Sequence, residues 1–330
     1  KACSDFAIDL GINIPTGKDS LSMKQKYKDG DVIAPGTVII SAGGNCNDVT
    51  KVVEPVLQKN GGAIYYINLS NDSYKLGGSS FAQILNKIGN EAPDVKDAAS
   101  LKSIFNLIQE LVKASKIEAG HDIGSGGLIT TLLELCFADV NLGAKIDLSA
   151  LAEQDSIKLL FSENIGVVFQ ADNSVEETLK TAGINFHKIG EVTASATLEI
   201  NNAGENLSFD ISHLRDVWFK TSYLLDSRQT GNELAKERYN NYKNQPLTYK
   251  FPTHFNGKKP IIDAAKARPK AAIIREKGSN SEREVANAMY LAGFDVKDVH
   301  MTDLISGRET LEDIQFIGAV GGFSNSDVLG

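Results

Sequence analysis

Runs and periodicities of apolar residues divide the chain into recognisable segments. Residues 1–10 place Phe6, Ala7 and Leu10 on one side of a helix, with Gly11 as its stop. Residues 37–42 and 63–69 are continuous apolar runs, the pattern of strands buried on both faces. Pro55 leaves room for only a short helical turn over 49–54. Phe81, Ile84, Leu85 and Ile88 fall at i, i+3, i+4 and i+7 before Gly89, which predicts an amphipathic helix with its apolar face inward. A longer helix is predicted over 98–117, carried by Leu101, Ile104, Phe105, Ile108, Leu111 and Val112. A third, over 126–138, follows a glycine-rich loop. Strands at 143–148, 165–170, 186–192, 196–200 and 205–210, with a helix near 174–183, complete one mixed α/β domain. Asn201-Asn202-Ala203-Gly204 marks a hairpin between the last two strands.

After Asp210 the texture changes. Residues 211–228 read as a helix with Leu214, Val217, Trp218 and Leu225 on one side. Residues 229–265 are polar, carry Pro246, Pro252 and Pro260, and read as an interdomain linker. A new domain opens near Lys270: strand 271–275, helix 281–292 with Gly293 as stop, strand 294–299, and a further strand 316–320 ending in Gly321-Gly322-Phe323-Ser324. Ser281 and Glu284 have the spacing of a capping box. This succession opens a doubly wound parallel sheet, and about 60 residues fall short of a whole domain of that kind.

Composition narrows the function classes. A 42% hydrophobic content supports real cores, and 330 residues suit two domains with part of a third. The formal net charge is −8, and lysine and arginine are spread without a basic stripe, so polynucleotide binding is not expected. Cys3, Cys46 and Cys136 stand far apart with no Cys-x-x-Cys spacing, which suits a reducing, cytoplasmic setting. No apolar run approaches the roughly 20 residues of a membrane span, and no signal peptide opens the chain. The start at Lys1 and the end at Gly330 read as cuts within a longer polypeptide.

The strongest chemical signal is His121-Asp122-Ile123-Gly124-Ser125-Gly126-Gly127. A glycine-rich loop opening a helix offers backbone N–H groups and the positive end of the helix dipole to an anion, usually phosphate. An adjacent aspartate is a hard oxygen ligand suited to Mg²⁺. The same residues also suit a tight turn with Asp122 capping the helix, and sequence alone supports both readings equally. His121 by itself reads as an orienting or packed histidine rather than a catalytic base. Lys75-Leu76-Gly77-Gly78-Ser79-Ser80 reads as close packing with a serine cap. Gly17-Lys18-Asp19-Ser20 looks like the end of a phosphate-binding P-loop, but Ile12 stands where the first glycine belongs, which excludes one. Residues 43–48 form a polar loop after a predicted strand, where ligands of α/β proteins often sit. Cys136 lies in an apolar helix and reads as inert core; Cys46 has no histidine near it in sequence.

In order along the chain stand Ile14-Pro15-Thr16-Gly17-Lys18-Asp19-Ser20-Leu21-Ser22-Met23, Leu76-Gly77-Gly78-Ser79, His121-Asp122 with Gly126-Gly127-Leu128, and Leu214-Arg215-Asp216-Val217-Trp218. This succession resembles the second synthetase half of large-type phosphoribosylformylglycinamidine synthases. Arg275-Glu276-Lys277-Gly278-Ser279-Asn280-Ser281, Ala292-Gly293-Phe294-Asp295, Val299-His300-Met301-Thr302-Asp303-Leu304 and Gly321-Gly322-Phe323-Ser324 are similar to the opening of that family's class I glutaminase domain. The resemblance covers essentially the whole chain.

It implies an aminoimidazole-ribonucleotide-synthetase C-terminal-like mixed α/β subdomain followed by the start of a class I glutaminase doubly wound parallel sheet. The implied boundaries are 1–35 for the end of the second synthetase N-terminal subdomain and 36–210 for the C-terminal-like subdomain. Residues 211–268 become helix and linker, and 269–330 the start of the glutaminase. The family is an ATP- and glutamine-dependent ligase of purine biosynthesis. ATP phosphorylates the amide oxygen of formylglycinamide ribonucleotide, and ammonia released from glutamine displaces the phosphate to give formylglycinamidine ribonucleotide. The implied cofactors are ATP/ADP and Mg²⁺; the implied partners are these small molecules and the remaining domains of the same polypeptide, with no nucleic acid and no membrane. Asp122 matches the family's metal ligand. Gly124 stands where the family has a serine that contacts nucleotide, and Ser125 where it has a second aspartate, so a backbone contact from Gly124 remains. Further metal ligands are expected before Lys1. Gly322 and Phe323 match the oxyanion strand of the glutaminase, whose nucleophile is expected beyond Gly330, so the chain alone is expected to release no glutamate. Two other readings remain: a structural, nucleotide-holding module without turnover, and a selenophosphate- or hydrogenase-maturation-type relative, which the tail from Lys270 opposes.

Overall fold

Alternating apolar side chains on the central strands of the first of two units face two cores at once. The computed structural model describes residues 1–15, 17, 24–33, 38–46, 48–244, 250–258 and 266–322. The units are 1–244 and 245–330. Helix α1 (Ala2–Leu10) stops on Gly11, whose left-handed backbone (φ 73°) accepts the turn a side chain would resist. Strands β1 (Lys24–Tyr27) and β2 (Gly30–Ile33) form an exposed antiparallel hairpin. Then follow β3 (Ala63–Asn68), α2 (Ser80–Ile84), α3 (Ala98–Lys113), β4 (Ile117–Asp122), α4 (Gly127–Phe137), β5 (Gly143–Asp147), α5 (Ser156–Phe161) and β6 (Gly166–Ala171). The unit ends with α6 (Val175–Thr181), β7 (His187–Thr193), β8 (Thr197–Asn202), β9 (Glu205–Asp210), α7 (Ile211–Gln229) and α8 (Asn232–Asn241).

Seven strands pair in the order β4-β6-β3-β7-β5-β8-β9, antiparallel throughout except for β5 beside β8. Central β3 explains the apolar run 63–69. Ile64 and Tyr66 point into a core with Leu128, Leu132 and Leu135 of α4, while Tyr65 and Ile67 enter a second core with Leu101, Ile104 and Ile108 of α3. Each such side chain stabilises the fold by about 1.5–3 kcal/mol on burial. The Tyr65 hydroxyl donates to Asn173 Oδ1 (2.9 Å) and Glu176 Oε1 (3.1 Å), so its polar tip is satisfied. Asp97 caps α3 by accepting from the Ser100 amide.

Several expectations are corrected. Residues 38–42 form no strand, and Val38, Ile39 and Ile40 are exposed; the run finds no sheet among the described residues to receive it, and Thr37 lies outside them. The helix expected through Ile88 ends at Ile84, and Ile84, Leu85 and Ile88 face outward. The chain turns at Asn86 (φ 54°) and Gly89 (φ 79°), then returns so that the Gly77 amide donates to Glu91 O (2.8 Å) and the Gly78 amide to Ile88 O (2.7 Å). Backbone pairing between the two arms wins over the helical period. The helix expected to reach 117 stops at Lys113, and 117–122 becomes β4. Residues 229–265 are not wholly linker: α8 packs on α7, with Tyr239 stacked on Tyr223 (5.0 Å) and Arg238 paired with Asp226 (2.8 Å). Helix α5 had no counterpart in the periodicity.

The second unit contains β10 (Lys270–Arg275), α9 (Glu282–Leu291), β11 (Asp295–His300), α10 (Met301–Ser306) and β12 (Phe316–Ala319). They form a parallel sheet ordered β11-β10-β12, with Ala271, Ala272 and Ile273 fully buried. The mixed α/β first unit and the parallel second sheet are the architecture expected from sequence. The capping box at Ser281 is not formed. Ser281 takes a left-handed backbone (φ 67°), a conformation outside the extended region that a side-chain cap requires, and its hydroxyl caps nothing.

Candidate functional site

Strand β4 runs antiparallel to β6 and delivers Asp122 to the end of the sheet. The Ile123 amide then donates to Gly166 O (2.9 Å), and residues 124–126 turn the chain into α4. Gly126 and Gly127 both have left-handed backbones (φ 89° and 73°). A Cβ on Gly127 would lie 2.7–2.8 Å from Leu160 O, Phe161 C and Ser162 O, and one on Gly126 would lie 2.2 Å from Thr130 Oγ1. Close packing against the end of α5 and the first turn of α4 therefore requires these two glycines. Gly124 is different: a Cβ there would meet nothing within 4 Å.

The Asp122 carboxylate is 87% exposed and does not cap α4, whose N-cap is Gly126 without any side-chain bond. The capping reading of Asp122 is thereby overturned; its carbonyl is engaged instead, by Thr131 Oγ1 (3.1 Å) and His121 Nδ1 (2.7 Å). Both ring nitrogens of His121 have neighbours that fix the ring. Its Nε2 lies 3.2 Å from Glu134 Oε2, and Glu134 Oε1 accepts from Trp218 Nε1 at 3.1 Å. Among the described residues no three His, Cys, Asp or Glu side chains gather as a cation site; Asp122 is an exposed oxygen donor with only His121 Nδ1 beside it, 3.4 Å from Oδ1. The residues described do not fit a complete Mg²⁺ site.

The second glycine segment follows the packing reading. A Cβ on Gly77 would lie 2.3 Å from Glu91 O, and Ser79 Oγ caps α2 by accepting from the Ala82 amide (3.2 Å). Lys18, Asp19 and Ser20 lie outside the described residues, and 43–46 is an exposed irregular stretch. Cys136 is buried, and burial pushes its thiol up to about 12, so it is core rather than nucleophile. Cys46 is exposed.

Periodicity gave no hint of Glu163. Its Oε1 accepts from the Gly126 amide (2.8 Å) and the Ser80 amide (2.8 Å), so one carboxylate joins both glycine segments. The available signal was a polar triplet, Ser162-Glu163-Asn164, set between the apolar stretches 159–161 and 165–169. In the second unit, Gly322 has φ 142°, and a Cβ there would lie 2.3 Å from Gly278 O. The Asn280 amide donates to Gly321 O (2.9 Å), so the strand end is latched to the loop 278–280. Phe323 lies outside the described residues.

The first unit is thus a mixed sheet with helices on both faces, and the second, among the described residues, a three-stranded parallel sheet. The sequence matches agree in order. The FGAR-AT PurM_N-like domain family matches residues 1–45, the AIR synthase related protein C-terminal domain family 59–201, and the CobB/CobQ-like glutamine amidotransferase domain family 268–330. The chain is 40% identical, over 344 aligned residues and 99% of its length, to an Arabidopsis thaliana protein named probable phosphoribosylformylglycinamidine synthase, chloroplastic/mitochondrial. It spans 24% of that relative's length. The chain belongs to the phosphoribosylformylglycinamidine synthase family. Among solved structures, Thermotoga maritima PurL complexed with ATP is 16% identical with a TM-score of 0.44, covering 64% of this chain and 34% of that one. The hydrogenase maturation protein HypE is 19% identical with a TM-score of 0.35, covering 47% and 54%.

Proposed function

We propose that this chain is part of the ATP- and glutamine-dependent ligase that converts formylglycinamide ribonucleotide to formylglycinamidine ribonucleotide. The observation that carries this reading is the 40% identity extending over 99% of the chain, through both units. Residues 1–35 close the second synthetase N-terminal subdomain, and 36–210 form its C-terminal-like partner. Residues 211–268 connect it to a glutaminase that begins at 269. The partners are the small-molecule substrates and the other domains of the same polypeptide. The three cysteines are free and suit a reducing compartment such as the cytoplasm; the Arabidopsis relative carries chloroplastic/mitochondrial in its name.

Within the ligase, the loop after β4 serves nucleotide. Asp122, exposed at the strand end, would supply one carboxylate to a Mg²⁺ ion, whose chemistry there would be to neutralise phosphate charge. His121, held beside Glu134, orients the loop. Gly124 and Ser125 meet the phosphates through their amides, as α4 begins just behind them. In the second unit, the backbone at Gly322 and Phe323 provides N–H donors for the oxyanion of glutamine hydrolysis.

The deciding experiment is Asp122→Ala in the full-length protein, with bound nucleotide, melting temperature and ATP kinetics measured together. Lowered kcat with raised KM for ATP supports catalytic use of this site. Lost nucleotide and a lower melting temperature with unchanged ATP kinetics support a fixed structural nucleotide instead. Unchanged nucleotide content and kinetics refute both.

A further inference from the structure

We infer that Glu163 is a built-in anion that engages the Gly126 and Ser80 amides and holds both glycine segments in place. It is a positioning residue, and the inference rests on the reading of the 122–127 loop as a nucleotide contact. The geometry is specific. A single oxygen, Glu163 Oε1, lies 2.8 Å from the Gly126 amide and 2.8 Å from the Ser80 amide. Gly126 is the N-cap of the eleven-residue helix α4, where unpaired N–H groups and the helix dipole favour a negative charge. Carboxylate acceptors of N–H groups form the stronger, charge-assisted class of hydrogen bond.

The flanking residues hold Glu163 rigidly. Ser162, 3% exposed, accepts from the Lys75 amide (3.0 Å), donates to Lys75 O (2.8 Å) and is bonded to Asn164 Oδ1. Asn164, 1% exposed, donates to Ser70 Oγ (2.9 Å), Ser73 O (3.2 Å) and Asp72 O (3.3 Å). The triplet 162–164 thus ties the 70–80 segment and the 124–126 loop to the start of β6. Asp72 in turn pairs with Lys75 (2.8 Å), which closes the 70–80 segment on itself. A ligand phosphate at this loop therefore has Gly124 and Ser125 available, while the Gly126 and Ser80 amides are already engaged.

The test compares wild type, Glu163→Gln and Glu163→Ala in the full-length protein. Amide exchange is read at Ser80 and Gly126, and ADP titrations are run with and without sodium formate. Glu163→Ala is expected to speed exchange at both amides and to weaken ADP binding by about tenfold. Formate, a free carboxylate, is expected to restore both in a saturable manner in Glu163→Ala and to change nothing in wild type. Glu163→Gln keeps an acceptor without the charge and should show a smaller, parallel loosening of both amides. The inference is overturned if exchange at Ser80 and Gly126 is unchanged in both variants, or if formate restores neither property. Should Glu163→Ala not fold, unchanged exchange in Glu163→Gln overturns it. Wild-type protein that binds no ADP, with the exchange results as expected, refutes the nucleotide reading and leaves the positioning role standing.

Discussion

Gly127→Ala measures how much of the glycine loop is architecture. Gly127 has φ 73°, a conformation that costs an L-residue about 1–2 kcal/mol. The added Cβ would also lie 2.7 Å from Leu160 O and 2.8 Å from Ser162 O, both backbone atoms at the end of α5. Such atoms cannot rotate away, so the helix or the turn must shift, at a cost of about 1–3 kcal/mol. The two effects together predict a loss of roughly 2–5 kcal/mol. Gly124→Ala is the internal control: its Cβ meets nothing within 4 Å, and the change should stay within about 0.5 kcal/mol. Urea unfolding followed by Trp218 fluorescence is a suitable assay. Trp218 is the only tryptophan in the chain and reports on the first unit, being bonded to Glu134 and edge-on to Phe137, both of α4. A loss below about 1 kcal/mol for Gly127→Ala, or an equal loss for Gly124→Ala, refutes the packing account of these glycines.

Two further outcomes follow from burial. Under native conditions a thiol reagent should label Cys3 and Cys46 rapidly, while Cys136, buried and pushed up to about 12, should react only on unfolding; three thiols labelled at one rate in native protein would contradict the packing of α4. Burial also holds the His187 imidazole below its ordinary 6.5, because the folded state favours the neutral ring. Its contribution to stability is therefore complete above pH 6.5 and falls away as pH drops through the lower folded value. His187→Gln should flatten the stability profile as pH falls below 6.5, and parallel profiles for the two proteins would count against this.

Much of the fold was legible because hydrophobic patterning is local. The run 63–67 reads as a strand buried on both faces, and the α3 residues Leu101, Ile104, Ile108 and Leu111 recur at helical spacing on its buried side. The turn between β8 and β9 was marked by Ala203-Gly204, which take the left-handed backbones (φ 49° and 94°) that such a hairpin needs. The strand–helix–strand pattern after Lys270 likewise predicted the parallel sheet that forms.

Tertiary structure decided the rest. Strand β4 is an edge strand carrying Glu118, His121 and Asp122, so it lacks the apolar signature that would separate it from the preceding helix. The helix expected through Ile88 yielded to backbone pairing across the 77–91 turn, which no single-segment period contains. The family motif pointed to Asp122, yet its freedom from any capping role depended on how β4 meets α4. Glu163 is the clearest case. Its partners lie 83 and 37 residues away in sequence, and a lone carboxylate between two apolar stretches carries no mark of which amides it will meet. Sequence determined most of the elements and the family, through local patterns of burial and spacing. The joining of the two glycine segments by one charge was decided only when the sheet order brought β6 beside β4.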